Sequence, residues 1–153
     1  MIRLNLALVA AVTLMLAGCG APTHPINPPN ASIQQIDVLP DGRWKIQIRL
    51  ENFSDKTVHY AELKASLRVG GVAAAELALN PDIDIPGQNA DIVETTLAAS
   101  ADAQKAFLAD VKEPSGAPYE LKGTINIPAA GKEFKFEHKS RLSPVPGIAN
   151  EYR

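Results

Sequence analysis

Residues 43–53 read Arg-Trp-Lys-Ile-Gln-Ile-Arg-Leu-Glu-Asn-Phe and carry the clearest structural pattern of the chain. Apolar and polar side chains alternate through it, with Trp44, Ile46, Ile48 and Leu50 at every second position. A period of two is typical of a β-strand that has one face on a core and the other in water. We therefore predict a half-buried strand here.

Turn sequences before and after this strand predict two hairpins. An apolar stretch at 33–39 precedes it and ends in Pro40-Asp41-Gly42, a turn sequence. Downstream, Gly70-Gly71 favours a two-residue hairpin between strands at 58–69 and 72–79. Alternation in the first of these predicts a common buried face for His59, Ala61, Leu63, Ala65, Leu67 and Val69.

Further strands are predicted at 90–98, 119–128 and 132–142, whereas 80–88 reads as a loop with at most a short extended piece. One helix is predicted at 100–111. Ser100 is suited to cap it, and Ala103, Phe107 and Val111 share one face with Leu108 beside them.

The pattern therefore contains about seven short strands and one inserted helix. Hairpin connections favour antiparallel pairing, and one wet face per strand favours two sheets packed face to face. We predict an all-β antiparallel β-sandwich of immunoglobulin or fibronectin type III character.

The N-terminus has the features of an export signal. Arg3 precedes an apolar run at 4–16, which is shorter than the roughly 20 residues that a membrane-spanning helix needs. The run ends in Leu16-Ala17-Gly18-Cys19, which resembles a bacterial lipobox. We predict cleavage after residue 18 and diacylglycerol attachment to the Cys19 thiol, the sole cysteine of the chain.

These signals divide the chain into four parts: a lipoprotein signal peptide at 1–18, a lipidated, proline-rich tether at 19–30, a sandwich at 31–142 and a loose tail at 143–153. Proline-rich chain adopts a semi-rigid extended form, so the tether either spaces the domain from the membrane or packs partly on it.

Charge and anchor together indicate the partners. Removal of Arg3 with the signal leaves 14 basic and 17 acidic residues, so the mature charge is −3. An acidic balance argues against nucleic acid as a partner. We expect a membrane partner through Cys19, and envelope proteins are possible partners. Gly20, rather than an aspartate, favours the outer membrane facing the periplasm in a two-membrane host; an inner or single plasma membrane is the alternative.

The sequence contains no phosphate loop, dinucleotide fingerprint, nucleophile elbow or HExxH motif. The histidines His24, His59 and His138 are far apart in sequence, and the last two are interpreted as rim residues with ordinary hydrogen bonds. Asp82 and Asp84, with Asp91 nearby, are interpreted as a solvated edge. We therefore predict no enzyme activity, no metal and no cofactor.

Several segments carry a family resemblance. They are Asn52 followed by Phe53-Ser54-Asp55-Lys56-Thr57, then Gly70-Gly71, Ile85-Pro86-Gly87, Tyr119-Glu120-Leu121-Lys122-Gly123-Thr124-Ile125 and Phe134-Lys135-Phe136. In this order they resemble the late embryogenesis abundant (LEA) type 2 family, also called the WHy domain, over roughly residues 31–142. The family often has Asn-Pro-Asn where this chain has Asn52-Phe53-Ser54. Gly71 and Gly87 also have a plain interpretation as turn residues.

The resemblance implies a fibronectin-like sandwich with one helix, no catalytic site and a protective role in desiccation or other stress. An accessory subunit of an envelope assembly or secretion machine is the alternative, because a sheet edge can accept a partner's strand. A lipid-anchored enzyme is the third hypothesis, and the missing catalytic motifs disfavour it.

Overall fold

The computed structural model of the chain describes residues 25–153, which form seven long strands, three short strands and one helix. The strands are β1 Asn30–Val38, β2 Trp44–Asn52, β3 Val58–Tyr60, β4 Glu62–Val69, β5 Val72–Leu79, β6 Ile83–Ile85, β7 Asn89–Leu97, β8 Ala117–Ile127, β9 Lys132–Leu142 and β10 Glu151–Tyr152. Helix α1, Ala101–Asp110, connects β7 to β8, and a 3₁₀ turn, Pro128–Ala130, connects β8 to β9.

The strands form two four-stranded sheets and a short ribbon, and every pairing is antiparallel. The first sheet has the order β10-β1-β2-β7, the second has the order β5-β4-β8-β9, and β3 pairs with β6. The predicted antiparallel sandwich with one inserted helix is confirmed. The seven long strands match the predicted number, and the short ones come from segments predicted as loop, tail or strand end.

The core lies between the two sheets and follows the alternation in β2. Trp44, Ile46, Ile48 and Leu50 are all buried there, as predicted. The facing sheet contributes buried aliphatic side chains, among them Leu63 and Leu67 of β4 and Leu121 and Ile125 of β8. Burial of a large apolar side chain stabilises a fold by about 1.5–3 kcal/mol, so this double layer dominates the folding free energy.

Helix α1 closes one end of the sandwich. Ser100 caps it, since its Oγ accepts a hydrogen bond from the amide of Ala103 at 3.2 Å. Phe107 is fully buried, with its ring centroid 5.0 Å from that of Trp44 and 4.8 Å from that of Tyr152. The predicted helix is confirmed, but Leu108 is 46 % exposed and does not join its buried face.

The predicted face of the 58–69 segment is wrong in its first part. The segment breaks at Ala61, whose amide bonds to the carbonyl of Asn126 at 3.1 Å, and the two parts join different sheets. Because side chains alternate with a period of two, this one-residue interruption reverses the inward face. Val58 and Tyr60 are therefore buried in β3, and His59 lies outward.

Both ends of the described chain pack on the sandwich. In the tether, the amide of Asn27 bonds to Ser54 Oγ at 3.0 Å and Ile26 packs against the core, so its last residues follow the second alternative. The expectation of a loose tail is wrong for the final residues, because β10 pairs with β1 and Tyr152 is buried. Burial of the Tyr152 ring against Phe107 stabilises the packing of these last residues on the sandwich.

Candidate functional site

The predicted lipidation residues are Leu16, Ala17, Gly18 and Cys19, and all four lie outside the described residues. Within residues 25–153, no helix has both the length and the apolar character that crossing a bilayer requires.

His59 lies between the two aspartates that were interpreted as a solvated edge. Its Nδ1 is 2.9 Å from Asp84 Oδ1, and its Nε2 is 3.2 Å from Asp82 Oδ1. The two carboxylates contact opposite nitrogens of the ring, so one ion could not be bound by all three groups. Across the described part of the chain, no group of three His, Cys, Asp or Glu side chains is arranged to hold a metal.

His138 lies far from this group, half-buried on β9. Its ring stacks on that of Tyr119 with centroids 6.0 Å apart, and its Nδ1 is 3.3 Å from Asn30 Nδ2. The structure thus does not bring His59 and His138 together.

A polar cluster, in which Asn52 and Ser54 are buried and Asn27 and Gln88 are exposed, occupies the end of the sandwich that helix α1 leaves open. We call Asn27, Asn52, Ser54 and Gln88 the loop cluster. Asn52 Nδ2 donates to the carbonyls of Lys56, Ile85 and Pro86 at 2.9, 2.9 and 3.1 Å, and its Oδ1 accepts from the amide of Ser54 at 2.9 Å. This single side chain therefore joins the turn after β2 to the segment before β7.

The other members hold the same turn from outside. The Gln88 side chain donates through Nε2 to the carbonyl of Phe53 at 2.8 Å, and the Gln88 backbone N–H donates to the carbonyl of Ser54 at 2.9 Å. Asn27 donates through Nδ2 to the same Phe53 carbonyl at 2.7 Å. These bonds fix the backbone of Phe53 while its side chain stays 45 % exposed beside a pocket of about 190 Å³.

Gly87 is required here for close packing. A Cβ on it would lie 2.6 Å from the carbonyl carbon of Asp55 and 2.8 Å from the nitrogen of Lys56, closer than real contacts allow. Gly71, by contrast, has a φ of +78° and open space around its Cβ position, so it serves the hairpin turn. Gly87 also lies in a turn, as the plain interpretation has it, but close packing requires glycine there as well, whereas Gly71 serves the turn alone.

Tyr60, which is buried near this end, has a structural role. Tyr60 donates to the carbonyl of Glu51 at 2.9 Å. Burial, together with the nearby Glu51 carboxylate, raises the pKa of Tyr60 well above its ordinary value, so the phenol stays neutral. A neutral, fully engaged hydroxyl does not serve as a nucleophile, and we assign Tyr60 to packing.

Sequence reasoning identified part of the loop cluster. Asn52 and Ser54 belong to the first segment of the family resemblance, whereas the sequence places Asn27 in the tether and Gln88 in a loop. Asn27 lies 27 residues from Ser54 and Gln88 lies 35 residues from Phe53. No local pattern signals such long-range contacts, although Asn27 follows an apolar residue, Ile26, that could have suggested docking.

Comparisons with known proteins place the fold. No family model matches the sequence, and no match is found among curated proteins. Among solved structures, the chain is similar to an Archaeoglobus fulgidus protein, with 12 % identity over 79 % of this chain and 100 % of that one and a TM-score of 0.38. It is also similar to a proposed late embryogenesis abundant protein, At2g46140.1, with 12 % identity over 94 % and 88 % of the chains and a TM-score of 0.42.

The solution structure of AT1g01470 from Arabidopsis thaliana has a TM-score of 0.50, with 12 % identity over 86 % of this chain and 92 % of that one. At this identity the likeness concerns the fold alone. The described chain therefore shares a sandwich architecture with this plant protein over nearly the whole length of both.

Proposed function

We propose that this chain is a lipid-anchored envelope protein whose sandwich has a non-enzymatic protective or binding role during water or envelope stress. The LEA type 2 resemblance supplies the role, and the lipobox at 16–19 supplies the anchor. In a two-membrane host we place it at the outer membrane, facing the periplasm.

The observation that carries the proposal is the contact between two motif segments of the resemblance. Asn52 belongs to the first segment, and its amide binds the carbonyls of Ile85 and Pro86 in the third. Gly87 in turn lets that third segment approach the backbone of Asp55 in the first. Two segments whose bonded residues are more than 30 positions apart along the chain thus form one interlocked pair of loops.

The outer surface of the second sheet supports a role that requires hydration. Charged residues on neighbouring strands alternate there in sign, as in the ion pair of Lys122 with Glu137 at 3.2 Å and that of Lys139 with Glu120 at 3.5 Å. Exposed ion pairs of this kind contribute little to folding stability. A ladder of them binds water and allows close approach to other macromolecules without apolar adhesion.

A drying experiment tests the proposal. A deletion strain complemented with the wild-type chain should survive drying and osmotic shock better than one complemented with Cys19→Ser, because only the former keeps the domain at the membrane. Equal survival of the deletion strain and its parent, together with failure of the purified protein to protect a dried client enzyme, would refute the role. Palmitate labelling gives the anchor its own test, since equal labelling of wild type and Cys19→Ser would refute lipidation.

The accessory-subunit alternative rests on β7. Within the described residues this nine-residue strand pairs only with β2, so its outer edge is open to a partner's strand. Crosslinking in cells through photoreactive residues at positions 94 and 96 should then recover an envelope complex. Recovery of uncrosslinked protein alone would refute this alternative and leave the protective role intact.

A further inference from the structure

A cationic pocket lies on the outer surface of the second sheet, at the end where the β4–β5 hairpin turns. It has a volume of about 380 Å³, and Arg68, Pro118, Glu120, Lys139 and Arg141 are among its lining residues. Arg68, Glu120 and Lys139 are direct neighbours across β4, β8 and β9, and Pro118 opposes Arg141 in the next row outward. These five side chains therefore point to the same side of the sheet.

The charges of the pocket are not equally compensated. Lys139 has acidic partners, since its Nζ lies 2.7 Å from Glu137 Oε1 and 3.5 Å from Glu120 Oε2. Arg68 and Arg141 are held by neutral oxygens instead, and in residues 25–153 neither forms an ion pair with a carboxylate. Two guanidinium groups thus lie at one site without an ion pair to a carboxylate.

Hydrogen bonds hold both guanidinium groups in place, but each group keeps N–H donors without an acceptor. Arg68 donates one N–H bond, to the carbonyl of Gly71, while Arg141 donates three, to the Ser115 carbonyl, Ser115 Oγ and the Gly116 carbonyl. A guanidinium has five N–H donors, so Arg68 keeps four and Arg141 keeps two. Anchoring by backbone carbonyls fixes their positions at little conformational cost to a ligand, which is how preorganised anion sites work.

We propose that this pocket binds a phosphate monoester between Arg68 and Arg141. A phosphate monoester carries a charge of about −1.5 to −2 near neutral pH and three terminal oxygens, which match two uncompensated guanidinium groups and their free donors. A carboxylate offers one charge and two oxygens, and it would leave half of the site unmatched. Pro118 supplies an apolar wall for the carbon part of the ester.

Glu120 sets the strength of the site. Its carboxylate lies in the same row as Arg68 and Lys139 and opposes an anion in the pocket. The site therefore favours weak, exchangeable binding, and removal of this one charge should tighten it. This consequence is independent of the proposed protective role, because it depends on the pocket alone.

The test is a titration of the purified full-length chain with inorganic phosphate, followed by NMR of the arginine Nε–Hε groups. The Arg68 and Arg141 signals should shift and saturate together, while Arg43, which is ion-paired with Asp41 at 2.7 Å, should not shift. Arg68→Gln should weaken phosphate binding at least tenfold, Arg43→Gln should leave it unchanged, and Glu120→Gln should tighten it several-fold. Arg68→Lys keeps the positive charge but loses the planar set of guanidinium N–H donors. Its phosphate affinity should therefore lie between that of the wild type and that of Arg68→Gln.

Two sources of the monoester are separated by a second titration with short-chain phosphatidic acid. Tighter binding of this compound than of inorganic phosphate assigns the site to a lipid headgroup, and the reverse order assigns it to a soluble phosphate. The proposal is overturned if neither compound gives saturable shifts at Arg68 and Arg141 in the wild-type chain. It is equally overturned if Arg68→Gln and Arg43→Gln, with unchanged melting temperatures, bind phosphate alike.

Discussion

At the scale of single residues, Asn52 combines deep burial with complete hydrogen bonding. Its side chain is 2 % exposed, yet both its amide nitrogen and its oxygen are engaged. A buried polar group costs free energy only when it lacks a partner, so this asparagine fixes two loops at no penalty. An apolar residue would fill the space and leave several backbone groups unpaired.

We expect Asn52→Ala to destabilise the protein by about 2–4 kcal/mol, because it leaves the Ser54 amide and the carbonyl of Ile85 without partners in a buried region. Urea denaturation followed by tryptophan fluorescence measures the change. Asn80→Ala, at an exposed loop position, is the control and should change stability by less than about 0.5 kcal/mol. Equal midpoints for the two variants would contradict the assigned role.

Trp44 is the matching case among apolar residues. Its ring is 1 % exposed and contacts Phe107, so Trp44→Ala should cost about 3–5 kcal/mol through lost burial and a residual cavity. Thermal unfolding measures this loss. Phe53→Ala truncates an aromatic residue that is 45 % exposed, and its melting temperature should stay close to that of the wild type. A Trp44→Ala melting temperature within a couple of degrees of the wild type would mean that this face is not the core.

At the scale of elements, β7 protects part of its open edge with its own side chains. Asn89 Oδ1 accepts from the amide of Ala90 at 2.8 Å, and Asp91 Oδ1 accepts from the amide of Ile92 at 2.7 Å. Backbone groups of alternate residues point to the same edge of a strand, so these two amides share one edge, and their side-chain acceptors indicate that it is the edge not paired with β2. The first half of the edge is therefore less able to pair with another chain than the second half.

The double variant Asn89→Ala, Asp91→Ala should uncap these two amides and promote self-association through β7, aided by Ile92, which is 43 % exposed. Sedimentation velocity over a range of protein concentrations detects it as a growing dimer fraction. Glu94→Ala removes the same charge from the same strand, but its carboxylate binds the side chains of Lys45 and Gln47 and caps no amide. If both variants associate to the same extent, the cause is charge and the capping explanation fails.

The positions of strands such as β2 and β9 could be predicted from the sequence. Where apolar and polar residues alternate regularly, burial of one face determines both where the strand lies and which side chains point inward. The phase of β3 could not be predicted, since it depends on the bond from Ala61 to the Asn126 carbonyl, 65 residues away in sequence. The sequence likewise places Asn52 at the end of a strand, but it does not show which carbonyls its side chain binds, because two of them lie more than 30 residues away.

At the scale of the whole molecule, the two ends of the described chain lie at different places on the sandwich. Pro25 and Ile26 lie beside the β8–β9 turn, together with Lys56 and Phe134. The last strand pairs with β1, where Arg153 Nε donates to Gln35 Oε1 at 2.9 Å. The return of the C-terminal residues is held by one aromatic ring and a few hydrogen bonds, and a tail rich in proline gave no periodic signal for it.

The point at which the tether enters the sandwich bears on the membrane at which we expect the protein to reside. Residues 19–24 lie between Cys19, where we propose the lipid, and Pro25, so we expect the surface near the β8–β9 turn to lie toward the bilayer. The mature charge of −3 disfavours tight docking on an anionic lipid surface, which attracts basic segments. Gly20 follows Cys19, the proposed lipidation site, at a position where an aspartate favours retention at the inner membrane in many two-membrane bacteria. We therefore expect the wild-type protein to be recovered with outer-membrane markers in a sucrose gradient.

Gly20→Asp should move the protein to the inner-membrane fractions, because it places a carboxylate at the position that controls sorting. Ala21→Asp introduces the same charge one residue further on and is the matched control, which should stay with the wild type. Both variants lie well before the sandwich, so their melting temperatures should equal that of the wild type. Recovery of the wild-type protein with inner-membrane markers would refute the location itself, and identical gradients for wild type and Gly20→Asp would show that this position does not decide it.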